Sequence, residues 1–346
     1  MPFWLVCAYL TAAQHPSLSG TVVNAETGEP IPYAIIELAP RGRLRLSDMG
    51  GRFQIDTVEP GTHRLVVRQI GYRPFDSTLT IPLASQRGLI VHLTRLGILL
   101  PPVTVSRNDE CRTPGPPDRT ITPTLALVFD QMVANARRML LMQDEHPHVL
   151  RVQRRITDVE LPRGQQTSIT DTLQLKSRDR WRYRPGQVVG RVSYETDIEG
   201  RWITRPWKDQ DLIRLPTLED FADSIFVDTH CFSFGGRDSI QGDRFIRIDF
   251  RPAVRIKTTD VAGAAYLDSA TYLIRYTVVT VTRPGQGVPG LMSLVATSRF
   301  REIPPGMIVT DQISAVSRRR GQPLTERLEE QRLLNILFHI QPPGWR

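Results

Sequence analysis

Residues 48 to 74 read DMGGRFQIDTVEPGTHRLVVRQIGYRP, two alternating stretches punctuated by glycine and proline. In the first, Phe53 and Ile55 fall on one face while Arg52, Gln54 and Asp56 fall on the other, the period of a half-buried β-strand. Gly50 and Gly51 stand where a tight hairpin needs positive φ or no side chain. Pro60 cannot donate to a ladder and Gly61 permits a reversal, so the EPG stretch closes that strand. THRLVVRQ alternates again, with His63, Leu65 and Val67 on one face, until Gly71-Tyr72 ends it. A segment built this way folds as short strands.

The flanks repeat the pattern. A strand ends near Val23, the stretch from Asn24 to Pro30 turns around Thr27-Gly28, and PYAIIELAP forms the next strand. There Ala34, Ile36 and Leu38 point one way and Tyr33, Ile35 and Glu37 the other. STLTI, GLIVHL and PPVTV supply the remainder, so residues 18–106 predict a β-sandwich of seven or eight strands. The order of these elements resembles the carboxypeptidase regulatory-like domain, a transthyretin-type sandwich of exported bacterial proteins. The resemblance rests on Gly20, Val22, Gly28, Pro30, Ala34, Gly51, Phe53, Pro60, Gly61, Leu65, Gly71 and Tyr72. Those residues specify turns and packing, and the resemblance implies a module without catalytic groups. In some outer-membrane receptors a similar sandwich and a segment like LPPVTVSRN precede a large barrel; about 240 residues follow Ser106, too few for such a barrel.

The net charge of +8 raises nucleic-acid binding, but three of the 44 basic residues are lysine and the arginines are scattered. The densest run is Arg318-Arg319-Arg320, so no phosphate-binding face is expected. At the N-terminus, MPFWLVCAYLTAAQ has an apolar run followed by small residues. The run is too short for a transmembrane span and matches a signal-peptide core, so residues 1–14 are expected to direct export. That leaves Cys111 and Cys231 as one disulfide or as two unrelated buried thiols.

RNDECRTPGPPDRTITP marks a linker over 107–122, and the pattern after it becomes helical. Leu125, Val128, Phe129, Met132, Val133, Ala136, Met139 and Leu140 share one face of a helix that His146-Pro147 stops. From Val149 the period returns to two. Strands are expected at HVLRVQRRITDVEL, RWRYRP, DRFIRIDFRP, GAAYLD, TYLIRYTVVTV, LMSLVATSRFREI and MIVTDQISAVS. LTERLEEQRLLNILFHI, over 324–340, fits a helix or an edge strand. Residues 123–346 therefore read as an antiparallel curved sheet with one packed helix, and the whole chain as mainly β. The meander is similar to the curved half-barrel of periplasmic lipoprotein carriers, where a helix lies in the concave face. The two-domain layout, with DTHCF ahead of the sheet, resembles exported proteins in which the two cysteines pair, which implies a Cys111–Cys231 disulfide.

Catalytic patterns are scarce. GQGVPG lacks the lysine of a phosphate loop, and neither a Gly-x-Ser-x-Gly elbow nor a His-Glu-x-x-His pair occurs. DEHPH, residues 144 to 148, reads as a polar helix end rather than a metal site. His230 and Cys231 are strand neighbours and point to opposite faces, and Glu219, Asp220 and Asp223 read as a solvated group. The candidate ligand-stacking rings are Trp181, Tyr183, Trp202 and Trp207, interleaved with Arg180, Arg182, Arg201 and Arg205, where a sugar could stack. No cofactor is expected. The function expected is an exported, non-enzymatic binding or envelope-structural protein that docks through its sandwich. Its partner would be an envelope protein, a glycan or a lipophilic ligand, in the periplasm or outer envelope. One alternative is a carrier holding a lipophilic molecule against Leu125, Phe129 and Met132; another is a hydrolase with an unrecognised site.

Overall fold

The computed structural model describes residues 16–40, 43–82, 86–97, 110–179, 182–192, 210–240, 242–303, 306–321 and 323–341. The expected export segment 1–14 and the expected PPVTV strand lie outside the described residues. The chain divides into two compact units at Arg95 and Leu96.

The first unit contains β1 (Leu18–Asn24), β2 (Ile35–Ala39), β3 (Arg43–Leu46), β4 (Arg52–Ile55), β5 (Gly61–Arg68), β6 (Phe75–Ile81) and β7 (Gln86–Leu93). They form a sandwich of two sheets, ordered β4-β1-β7 and β3-β2-β5-β6. β1 runs parallel to β7, and the other pairs are antiparallel. Between the sheets Val22, Ala34, Ile36, Leu38, Phe53, Ile55, Leu65 and Val67 form one buried cluster, which keeps together the residues that alternation places on a shared face. Ile35 is buried as well, on the opposite side of β2.

The turns of the 48–74 stretch do something other than close hairpins. β3 and β4 belong to different sheets, as do β4 and β5, so both turns carry the chain from one sheet to the other. Asp48 Oδ1 accepts the N–H groups of Gly50 and Arg52, each at 2.8 Å, and shapes the first crossing. Gly51 alone of the pair has positive φ, at +71°, and a Cβ there would stand 2.5 Å from the Val22 carbonyl oxygen.

The second unit opens with α1 (Pro123–Glu145), followed by the hairpin β8 (His148–Leu161) and β9 (Gln165–Lys176). A small ribbon of β10 (Val189–Val192) and β11 (Gln210–Ile213) precedes a 3-10 turn at Leu218–Ala222 and the short helix α2 (Ser224–Val227). Then come β12 (His230–Ile240), β13 (Asp243–Pro252), β14 (Asp260–Asp268), β15 (Ile274–Thr282), the single turn α3 (Pro284–Gly287), β16 (Leu291–Ile303), β17 (Met307–Arg319) and β18 (Leu324–Phe338). Nine of these strands form one curved antiparallel sheet in the order β12-β13-β14-β15-β16-β17-β18-β8-β9. Residues 324–338 are therefore a strand, paired on one side with β17 and on the other with β8, which gives its backbone groups partners along both edges. RWRYRP forms no strand in its described part: Arg182 to Arg184 have no regular structure.

α1 is buried over more of its circumference than an apolar stripe predicts, because polar side chains fasten it to the sheet. Asn135 Nδ2 donates to the carbonyl of Tyr272 at 2.9 Å, and its Oδ1 accepts the Ile274 N–H at 3.1 Å. Arg138 pairs with Glu302 and donates through Nε to the Gly306 carbonyl at 2.9 Å. Each of these bonds holds a turn between strands, so the helix crosses the sheet at one end of β14–β17. Phe129 meets Phe232 of β12 with ring centroids 4.6 Å apart, and Met132 is fully buried.

Cys111 and Cys231 are joined as a disulfide across 120 residues of sequence. Tying a loop of that length lowers unfolded-state entropy by roughly 4–5 kcal/mol in the chain-entropy model. Urea unfolding of the Cys111→Ser/Cys231→Ser variant is expected to show a midpoint well below that of the oxidised protein. An unchanged midpoint would mean the closure is redundant with the packing around it.

Candidate functional site

The second unit carries a cleft of about 420 Å³ walled by Gly186, Gln187, Val189 and Gly190 on one side and by Thr258, Thr259, Gln286 and Gly287 on the other. Two glycines set its width. A Cβ at Gly186 would fall 1.9 Å from Thr258 Oγ1, and one at Gly287 would fall 2.7 Å from both Thr259 Oγ1 and Val189 Cγ2. Any side chain at either position pushes the walls apart. The groups on offer to a ligand are two carboxamides, a threonine hydroxyl and exposed backbone, and among the described residues no charged side chain lines the cleft. Such a lining hydrogen-bonds a neutral polar molecule and contains no nucleophile–base pair.

Below this cleft lies a cluster of buried ionisable groups. Asp260, fully buried, accepts the Tyr183 hydroxyl at 2.8 Å and the Gly186 N–H at 2.8 Å on Oδ2, and the Val261 N–H at 2.8 Å on Oδ1. Gly186 thus links the cleft wall to the cluster. Burial, followed by the charge of Asp260, pushes the Tyr183 hydroxyl above the ordinary tyrosine range. His230 is also fully buried, stacked on Phe226 with centroids 4.0 Å apart. Its Nδ1 faces the Phe226 carbonyl at 2.9 Å and its Nε2 faces the Val261 carbonyl at 3.2 Å. Burial pushes the imidazole pKa down, while the Phe226 carbonyl, Asp260, the Val261 carbonyl and Asp220 pull the other way. Arg214 makes two hydrogen bonds to Asp220, at 2.8 and 2.6 Å, and its guanidinium stands 5.8 Å from the Tyr183 ring.

Several sequence expectations change here. Tyr183 is not a surface ring for a sugar; it is 1 % exposed and its hydroxyl is used by Asp260. Trp181, Trp202 and Trp207 lie outside the described residues, the last two in the segment that joins β10 to β11. Asp220 is 2 % exposed and paired rather than solvated, and Asp223 caps α2 by accepting the Ile225 N–H at 2.8 Å. Cys231 is held in the disulfide and so forms no nucleophile pair with His230. In DEHPH, His148 Nδ1 faces the His146 carbonyl at 2.9 Å. Among the described residues no group of three or more His, Cys, Asp or Glu is placed to hold a metal ion. GQGVPG, unsuited to phosphate, supplies Gln286 and Gly287 to the cleft. The rest of the lining was silent in the sequence, because Gly186 and Thr258 are brought together only by the fold.

Residues 17–94 match the carboxypeptidase regulatory-like domain, so the first unit contains that domain. No curated protein matches the chain. Among solved structures, a DUF1329 family protein from Desulfovibrio piger is 13% identical with a TM-score of 0.33, over 63% of this chain and 95% of that one. A LolA superfamily protein from Nitrosomonas europaea is 12% identical with a TM-score of 0.29, over 62% of this chain and 94% of that one. Similarity this low leaves the chemistry of the site to its own residues.

Two outcomes test the buried cluster. Arg214→Met leaves the Asp220 carboxylate buried without its partner, and is expected to cost about 3–5 kcal/mol in urea unfolding at neutral pH. A loss below about 1 kcal/mol would instead match a solvent-screened pair. For His230 the folded pKa lies below the unfolded value of about 6.5, so the unfolded chain binds the extra proton first. Stability is therefore full above that value and is lost as pH falls toward the folded pKa. His148, also depressed chiefly by burial, adds to the same trend. His230→Gln should flatten the fall in unfolding free energy between neutral pH and about pH 5, a slope bounded near 1.4 kcal/mol per pH unit per proton. An identical slope in the variant would exclude His230 as a source.

Proposed function

We propose that the chain is an exported, non-enzymatic binding protein of the cell envelope. The carboxypeptidase regulatory-like sandwich serves as its docking module, and the cleft of the second unit receives a neutral, hydroxyl-rich ligand such as a glycan. The observation that carries this reading is the division of labour around Asp260. The ionisable groups are buried and bonded to one another, while the open cleft above them offers neutral hydrogen-bonding groups. Carboxamides present a donor and an acceptor side by side, which suits vicinal hydroxyls. The Cys111–Cys231 disulfide suits an oxidising compartment outside the cytoplasm.

The lipophilic-carrier alternative gains less support. On the face of the sheet that bears α1, the residues of β12–β16 are mostly apolar, with Phe232, Ile248, Phe250, Val279 and Ala296 buried beside the polar His230, Thr277 and Ser298. Across β18, β8 and β9 the same face carries Arg327 paired with Asp158 and Arg154 paired with Asp171. An acyl chain laid along that half would desolvate two ion pairs.

An array of neutral and acidic oligosaccharides, followed by calorimetry on any ligand found, tests the proposal. Neutral glycans are expected to bind, and Gln187→Ala/Gln286→Ala is expected to weaken binding at least about tenfold, the loss of 1.4 kcal/mol or more from two hydrogen bonds. Binding that the double variant leaves intact, or an array with acidic ligands alone, would reject the cleft as the site. Native mass spectrometry of protein purified from the envelope adds an independent reading: an extractable apolar ligand would favour the carrier instead.

A further inference from the structure

The nine-stranded sheet ends in two edges, and they are finished differently. At β12 the ladder is broken by a bulge between Phe234 and Gly236. The same edge is strapped at its start, where Cys111 is bonded to Cys231 and the Gly115 N–H donates to the His230 carbonyl at 2.9 Å. At β9 none of these devices appears among the described residues. Twelve successive residues, Gln165 to Lys176, pair with β8 without a register shift or a proline. Every β9 residue except Asp171 and Leu173 is exposed. Ile169 and Leu175 remain 36 and 37 % accessible. The one charge inside the strand, Asp171, is neutralised by Arg154 across the β8 ladder. A long, regular edge with unpaired N–H and C=O groups is a template for another strand.

The side chains indicate which strand. On the face away from α1, β9 carries Gln166, Ser168, Thr170, Thr172 and Gln174, a series symmetric in chemical type about Thr170. An antiparallel partner with the same sequence, centred on Thr170, sets Gln166 opposite Gln174, Ser168 opposite Thr172, and Thr170 opposite itself. Hydroxyl pairs of this kind stabilise antiparallel ladders, and the Thr157 and Ser168 oxygens already meet at 2.9 Å between β8 and β9. On the other face Ile169 meets Asp171, while each carboxylate stays on its own Arg154, and no like charges stand directly opposite. A register centred on Asp171 would set two carboxylates face to face. We propose that β9 is a self-complementary edge through which two copies of the chain join antiparallel into one continuous sheet, with Thr170 on the two-fold axis.

The geometry gives a direct test on the full chain. Cα atoms directly opposite in an antiparallel pair stand about 4.5–5.5 Å apart, inside the roughly 4.4–6.8 Å span of a disulfide. Thr170→Cys is expected to form an intermolecular disulfide under mild oxidation, seen as a dimer on a non-reducing gel that dithiothreitol abolishes. Ser168→Cys, placed opposite a threonine, is expected to link far less. Light scattering on the wild type should give twice the chain mass at high protein concentration. Thr170→Lys sets like charges on the axis and should give the single mass; because it also faces Arg155 of its own sheet, a cooperative melting transition rather than an unchanged melting temperature shows that the variant is folded. A wild type that stays monomeric at its solubility limit, a dimer that survives Thr170→Lys, or Ser168→Cys linking as readily as Thr170→Cys would each overturn the proposal.

Discussion

The second unit depends on the pairing of its last strand with its first. β18 lies against β8 over residues 324 to 338 and 148 to 161, and without that ladder the meander β12–β18 and the hairpin β8–β9 would be separate sheets. The contact closes nearly the whole unit into one ladder, so the partners must find each other across a long stretch of chain before the backbone bonds form. α1 precedes β8 directly, and its hold on the strand turns through Asn135 and Arg138 places the start of β8 at the proper end of the sheet. The helix therefore orders the ladder as well as covering part of it.

Where the sheet is covered, carboxylates and their cations are held in pairs or networks. Asp260, Tyr183, Asp220 and Arg214 are buried and bonded to each other or to backbone, which is the condition for ionisable side chains to survive in a low-dielectric interior. His230 is buried with its two ring nitrogens facing the Phe226 and Val261 carbonyls. The carboxylates and the tyrosine hydroxyl of this cluster are taken up by internal hydrogen bonds. The neutral cleft beside it keeps its carboxamides and hydroxyl exposed, and the two are coupled through Gly186, which hydrogen-bonds Asp260 while forming the cleft wall. This arrangement makes the cluster the support and the cleft the contact surface in the proposed function.

The change of character along the helix-bearing face follows from distance to that cover. Phe232, Ile248, Phe250 and Val279 lie on the covered part of that face and are apolar; beyond β17 it carries Gln331, and Arg327 and Arg154, which pair with Asp158 and Asp171. By β9 neither face is packed, and the strand is polar on one side and sparsely apolar on the other.

Local pattern alone determined much of this protein. Glycine and proline punctuation with period-two alternation placed Phe53 and Ile55 on one face, grouped Ile36 with Ala34 and Leu38 and Leu65 with Val67, and set the limits of β8, β13 and β16, because a strand with one buried face writes that face into every second residue. β9 and β12 escaped for the converse reasons: β9 buries neither face, and β12 is interrupted by Gly235-Gly236 at its bulge. Whether residues 324–338 were helix or strand was decided only when β17 and β8 supplied partners on both edges. Tyr183 reads as a surface ring until Asp260, 77 residues away, takes its hydroxyl into the core. The cleft has no sequence signature, since its walls come from segments about seventy to a hundred residues apart and its defining residues are glycines whose value lies in what stands opposite them. Short-range order is written in the chain because neighbouring residues share one backbone; the site is a product of packing, which joins residues that the chain keeps apart.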